Sequence, residues 1–298
     1  MTADGPAALR PGLIAAEQLA AAGSGVTVLD VRWTLAGGTS LADFEAGHLP
    51  GAAFVDLEQD LCSAPRADGT GGRHPLPAAE DFAGAMSGVG VRADRPVVVY
   101  DAAAGISAAR AWWLLRYFGH RDVRVLDGGL AAWIAAGLPV ETGQPAVVPG
   151  AFDAVPGSMP VLAPAHLLEP AAGLLLLDAR DAARYRGETE PVDKMAGHIP
   201  GAVSAPTTAN VTADGHFASA AALGARYRAY GAIADASAAA NAGAAAASTV
   251  GVYCGSGITA AHEVLALHSI GVPAALYPGS WSDWISDPTR PVRQGGEP

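Results

Sequence analysis

The chain is written twice. Val28-Leu29-Asp30-Val31-Arg32 and His48-Leu49-Pro50-Gly51-Ala52 in the first half return as Leu176-Leu177-Asp178-Ala179-Arg180 and His198-Ile199-Pro200-Gly201-Ala202 in the second. Two further pairs follow in the same order. Val97-Val98-Val99-Tyr100-Asp101 answers to Val250-Gly251-Val252-Tyr253-Cys254, and the segment from Leu126 to Trp133 answers to that from Tyr277 to Trp284. The separations all lie between 148 and 153 residues. Ordered matches at nearly one offset mean a duplicated domain, since solenoid repeats have periods of only about 20–50 residues.

The 298 residues accordingly divide into a first domain, 1–143, and a second, 161–298. The Pro- and Gly-rich stretch 144–160 reads as the linker. In each copy short apolar runs (27–29, 96–100 and 123–126, then 174–177, 250–253 and 274–277) alternate with helix-spaced apolar patterns at 106–118 and 258–269. Strands apolar on both faces, separated by helices, predict an α/β fold: two tandem domains, each a parallel sheet covered by helices on both faces. The second copy carries 12 extra residues between Gly231 and Cys254, in an alanine-rich tract at 232–247 that reads as a surface insertion or helix extension.

Composition removes several function classes. Half the residues are hydrophobic and only 16 % are charged, which excludes a disordered chain. With 18 basic against 29 acidic residues, the net charge of −11 gives nucleic acid no basic footprint. No apolar run approaches the roughly 18 residues of a membrane span. The start, Met1-Thr2-Ala3-Asp4, has neither the basic region nor the apolar core of a secretory signal, so a cytoplasmic protein is expected. Two cysteines, Cys62 and Cys254, make neither a disulfide framework nor a four-cysteine zinc site.

A duplication supplies its own control, because residues kept in both copies serve the fold. The two histidines, His48 and His198, read as turn-holding hydrogen bonders. The Asp30/Arg32 and Asp178/Arg180 pairs read as internal ion pairs, and Trp133 and Trp284 as packing. Cys254 is one-sided, with Asp101 at its position in the first copy. It ends a strand, and Gly255-Ser256-Gly257 leads into the helix that begins near Ile258, the position of most sites in open α/β sheets. The glycines let backbone N–H groups turn inward and the helix N-terminus favours an anion, two features that favour a thiolate. A lone cysteine is otherwise an inert core thiol; the loop and the asymmetry favour the reactive reading. Arg184 is one-sided too, with Ala36 opposite it. It is either a solvated loop arginine or a planar fork for a carboxylate or sulfonate beside the thiolate, and the second reading is preferred. Arg186 alone reads as solvated. A cysteine phosphatase would carry an arginine six residues after its nucleophile, where this chain has Ala260.

Over its full length the chain resembles the tandem-domain rhodanese-type sulfurtransferases. The residues that carry the resemblance are Asp178-Ala179-Arg180, Arg184-Tyr185-Arg186-Gly187, Gly197-His198-Ile199-Pro200-Gly201-Ala202 and Cys254-Gly255-Ser256-Gly257-Ile258-Thr259-Ala260, with Gly279-Ser280-Trp281 in support. The resemblance implies an inactive first domain, a persulfide-forming Cys254 in the second, and a site in the cleft between them. Within the family, Cys-Gly-Ser-Gly-x-Thr looks like the 3-mercaptopyruvate sulfurtransferases, whereas thiosulfate enzymes tend to carry basic residues directly after the cysteine. It implies a catalytic loop of Cys254, Gly255, Ser256, Gly257, Ile258 and Thr259, with Ser256 relaying a proton. Arg184, with Arg186 and Lys194, would hold the donor. From the first domain Glu58 and His74 would support the site. Glu58 stands where aspartate is usual, Lys194 is the nearest cation where a second arginine is common, and His74 reads equally as a turn histidine. The implied partners are a small-molecule sulfur donor and a thiol, thioredoxin or cyanide acceptor, with no metal or organic cofactor. Two other readings stay open: thiosulfate:cyanide sulfur transfer, and a non-catalytic sulfur carrier or redox-sensing module. Cys62 reads as a spare loop thiol, with a redox bridge to Cys254 as the alternative.

Overall fold

The structure is a computed structural model that describes residues 10–233 and 249–298. The strands are β1 (Leu13–Ile14), β2 (Thr27–Asp30), β3 (Trp33–Thr34), β4 (Gly38–Thr39), β5 (Ala53–Phe54), β6 (Val97–Tyr100) and β7 (Val123–Leu126), then β8 (Leu174–Asp178), β9 (Ala202–Ser204), β10 (Thr249–Tyr253) and β11 (Ala274–Leu276). The first domain's sheet runs β1-β7-β6-β2-β5 and the second's β11-β10-β8-β9, with every pairing parallel. The second copy keeps the counterpart of β1 as a single parallel bridge, Val161 to Leu276. The β3–β4 hairpin has no counterpart among the described strands of the second copy.

Alternation along β6 shows why both faces need cover. Val97 and Val99 pack into one cluster with the helix Ile106–Tyr117, while Val98 and Tyr100 pack into another with Leu19, Phe44 and Trp133. In the second domain Val250 and Val252 face the first of these clusters, and Tyr253 faces a third with Tyr185, Trp281 and Trp284. The repeat extends to single hydrogen bonds. The Tyr100 hydroxyl accepts from Leu49 N–H at 2.9 Å and the Tyr253 hydroxyl from Ile199 N–H at 3.1 Å. Both ion pairs expected at the strand ends are present and buried, Asp30–Arg32 at 2.6 Å and Asp178–Arg180 at 2.6 Å. His48 and His198 each bond a backbone carbonyl, of Phe44 and Tyr185 respectively.

The domains meet through equivalent elements. Helix Ile106–Tyr117 packs against helix Ile258–His268, and each is buried almost all round because one side covers its own sheet and the other meets its partner. One hydrophobic cluster therefore runs through both domains. Residues 144–160 join the sheets but do not hang free. Gly150 N–H donates to the Ser87 carbonyl and Val155 N–H to the Phe118 carbonyl, and Phe152 is buried against Phe82 and His120. An apolar anchor inside a proline-stiffened segment straps it along the first domain. Of the alanine-rich tract at 232–247, residues 234–247 lie outside the described residues.

Candidate active site

Asp101 and Cys254 end equivalent strands, and the hydrogen bonds around them correspond. Leu130 N–H donates to the Asp101 carbonyl and Trp281 N–H to the Cys254 carbonyl, both at 2.9 Å. The first copy shows what this loop is built to hold. The buried Asp101 carboxylate accepts from the N–H groups of Ala103, Gly105, Ser107 and Ala108 at 2.8 to 3.0 Å, and from the Ser107 hydroxyl at 3.0 Å. Strand, turn and helix N-terminus thus form an anion cradle, and in this domain a side chain of the chain itself fills it.

In the second copy the loop is one residue shorter, and the sulfur occupies the corresponding place. Gly257 N–H donates to Cys254 Sγ at 3.2 Å. Gly257, at φ +85°, caps the helix Ile258–His268. Ser280 Oγ accepts from Cys254 N–H at 3.1 Å and lies 4.0 Å from the sulfur. Ser280 holds φ +53°, a conformation that its counterpart Gly129 adopts at φ +56°. A serine kept in the left-handed region at some conformational cost places a hydroxyl against the cysteine that glycine could not supply.

The cleft over this loop has a volume of about 210 Å³ and is lined from both domains. Trp33, Thr34, Leu35, Arg73, Ala103 and Ile106 come from the first, and Arg184, Gly255, Ser256, Ile258 and Thr259 from the second. His74 Nδ1 lies 2.8 Å from Ser256 Oγ, a contact across the domain boundary. Burial, then the positive charges of Arg110 and Arg73, push His74 down to about 4, which keeps the ring neutral. Arg110, fully buried, fixes the backbone here by donating to the His74 carbonyl at 3.1 Å.

Arg184 is held by acids. Its Nε and Nη2 donate to Glu190 at 3.1 and 2.6 Å, and Nη2 reaches Asp193 at 3.2 Å. Burial opposes ionisation of Glu190, yet hydrogen bonds from Arg184 and from the Asp193 and Val192 amides hold its carboxyl below the usual range. Glu190 also touches Arg180 at 3.5 Å, so the ion pairs run Asp178, Arg180, Glu190, Arg184, Asp193 and end on Arg73.

Other expected residues lie elsewhere. Glu58 is exposed and accepts from Trp33 Nε1 at 3.2 Å; the Trp33 ring stands edge-on to His74, 5.7 Å away, so the indole rather than the carboxylate meets the histidine. Arg186 pairs outward with Glu188 at 2.7 Å. Lys194 is exposed, and neither it nor Arg186 lines the cleft. Cys62 is a free, buried thiol that burial pushes up, against the opposing pull of Arg110. Sequence reasoning missed Trp33, Arg73, Glu190 and Asp193. A signal existed only for Arg73, a one-sided cation adjacent to His74.

The duplicated parallel sheets are matched by comparison with known proteins. The sequence matches the rhodanese-like domain family over residues 15–136 and 164–287. The chain belongs to that family. Among its relatives is a Pseudomonas aeruginosa protein named "Probable 3-mercaptopyruvate sulfurtransferase", 45 % identical over 95 % of this chain and 98 % of its own length. SseB of Mycobacterium tuberculosis, by name a proposed thiosulfate sulfurtransferase, is 44 % identical over 95 % and 97 %. The crystal structure of SseA from Escherichia coli, a 3-mercaptopyruvate enzyme by its description, superposes with a TM-score of 0.76 at 33 % identity, covering 91 % of this chain and 99 % of SseA. The rhodanese-like relatives are thus named sulfurtransferases with one or the other donor. Among the described residues no helix is long and apolar enough to cross a membrane.

Proposed function

We propose that this chain is a sulfurtransferase that takes sulfur from 3-mercaptopyruvate onto Cys254 and passes it to a thiol, thioredoxin or cyanide. The observation that carries the reading is the paired loops: the turn whose five donors hold the Asp101 carboxylate in the first copy carries Cys254 in the second, with Gly257 N–H donating to its Sγ. With Asp101 in place of a nucleophile, the first domain acts as a support.

In the first step the Cys254 thiolate attacks the donor sulfur. An S–S bond forms, the bond from sulfur to carbon 3 breaks, and its electron pair leaves on the carbon as the enolate of pyruvate. Protonation of that carbon gives pyruvate, and the Ser256 hydroxyl, backed by neutral His74, is placed to deliver the proton. Arg184 orients the donor carboxylate, and Glu190 and Asp193 orient Arg184. In the second step an acceptor thiolate or cyanide attacks the outer sulfur and Cys254 leaves as thiolate. Gly255 and Ser256 put no lysine or arginine directly after the cysteine, which suits a monoanionic keto-thiol better than dianionic thiosulfate. The α/β architecture and the chemistry fit a cytoplasmic enzyme.

The test is kcat/KM for 3-mercaptopyruvate and for thiosulfate on one preparation, beside Cys254→Ser. A preference for 3-mercaptopyruvate and loss of all turnover in Cys254→Ser are expected. Turnover surviving in that variant refutes the persulfide route, and a preference for thiosulfate refutes the donor.

A further inference from the structure

Cys254 is only 1 % exposed, so its sulfur meets an acceptor only through the cleft. At about 210 Å³ that cleft is smaller than the roughly 300–1,000 Å³ of pockets for drug-sized ligands, and it admits a side chain rather than a chain segment. Large apolar side chains nonetheless stand in solvent around its mouth. On the first domain's side Leu35, in the turn between β3 and β4, lines the cleft and is 56 % exposed. On the second domain's side Val192 and Met195 are 40 % and 42 % exposed. Both are tied to the site through their backbones. Val192 N–H donates to Glu190 Oε1 at 3.1 Å, the oxygen that takes Arg184 Nη2 at 2.6 Å. The Met195 carbonyl accepts from Trp281 Nε1 at 2.9 Å, and Trp281 N–H in turn holds the Cys254 carbonyl. Between the two, Lys194 is exposed as well.

Neither Val192 nor Met195 lines the cleft, so a free small thiol or cyanide inside it gains nothing from them. A partner broad enough to rest on the rim while one thiol enters gains from Leu35, Val192 and Met195 together. Exposed apolar side chains gathered at one place mark an interaction site, and brief redox encounters between proteins use small ones, below about 1,200 Å². The ammonium of Lys194 gives the same rim a positive charge, which complements an acidic partner face. We infer that this rim docks a protein acceptor, one whose reactive cysteine projects from an apolar surround with an acidic group beside it. The inference rests on the sulfurtransferase reading above and names the acceptor class for its second step. The partner's thiolate attacks the outer sulfur of the Cys254 persulfide; one S–S bond forms as the other breaks, and Cys254 leaves as thiolate with the electron pair.

The test starts from protein loaded with sulfur from 3-mercaptopyruvate or, separately, from thiosulfate, then desalted. Reduced thioredoxin is added as the protein thiol, or cysteine as the small one, and intact mass follows loss of the added sulfur from Cys254. Wild type is compared with Val192→Ser/Met195→Ser and with Lys194→Glu; Leu35 is left alone because it lines the cleft. The wild-type second-order rate constant is expected to be about tenfold or more higher for thioredoxin than for cysteine, and each variant to lower the thioredoxin value about threefold or more while the cysteine value holds. Smaller effects in the wild type or in either variant overturn the inference, and so does equal loss with both acceptors. Loading from thiosulfate but not from 3-mercaptopyruvate refutes the donor alone, since the rim is then tested on the thiosulfate-loaded protein. Loading from neither refutes the persulfide route and the docking inference with it.

Discussion

His262 ties the second domain's central helix to the loop after Asp101, and its protonation state sets a testable pH dependence of stability. The ring is buried, stacked on Phe217 at 4.5 Å, with Nε2 3.1 Å from the Ala104 carbonyl oxygen and Nδ1 2.8 Å from Thr207 Oγ1. A carbonyl only accepts, so Nε2 carries the hydrogen and Nδ1 accepts from Thr207 in the neutral ring. Burial pushes the imidazole down to about 4, against the opposing charge of Asp101 and its own bond to Ala104. In the unfolded chain the value returns to about 6.5. Because the folded value is the lower one, the unfolded state binds the extra proton, and stability present above about pH 6.5 is lost as pH falls toward 4. At pH 5 the unfolded histidine is almost fully protonated and the folded one only about a tenth so, a penalty of about 2 kcal/mol that is nearly absent at pH 7. Urea denaturation of the wild type and His262→Gln at both pH values reads this directly. The variant is less stable at pH 7, and the gap between the two proteins narrows by about 2 kcal/mol at pH 5. A gap that stays constant refutes the argument.

The other expectations concern the two loops. Asp101→Asn should lower stability by about 3 kcal/mol in denaturant titration, because the new amide nitrogen turns a donor toward N–H groups that now need an acceptor; a loss under 1 kcal/mol contradicts the cradle. Ser256→Ala should lower kcat by about a hundredfold with little change in KM, measured as pyruvate release, and His74→Asn should resemble it. If only one of the two matters, the pair is not a relay.

The sequence made the doubling, the parallel sheet of each copy and the one-sidedness of Cys254 legible, because each is carried by short-range pattern: apolar runs, a strand followed by Gly-Ser-Gly, and one position differing between copies. It reached His74 and Ser256 only through resemblance, and their contact with each other not at all. Arg73 was visible as a one-sided cation, but its placement beside the catalytic loop depends on the close docking of Gly72 against Gly279, a contact between distant segments that no local period encodes. Trp33 was equally hidden: its indole stands between Glu58 and His74 because the β3–β4 hairpin has no counterpart among the described strands of the other half. The segment 144–160 looked like a bare connector by composition, and only the burial of Phe152 reveals it as part of the first domain's surface.

The carboxylate sealed into the earlier loop means that this lobe never waits for cargo. Its acceptor is part of the chain itself, so the N–H groups of its turn have their partner whether or not sulfur is aboard. Only the later loop must accommodate an anion that lengthens by one atom and shortens again with every cycle, and it does so against a companion that stays still.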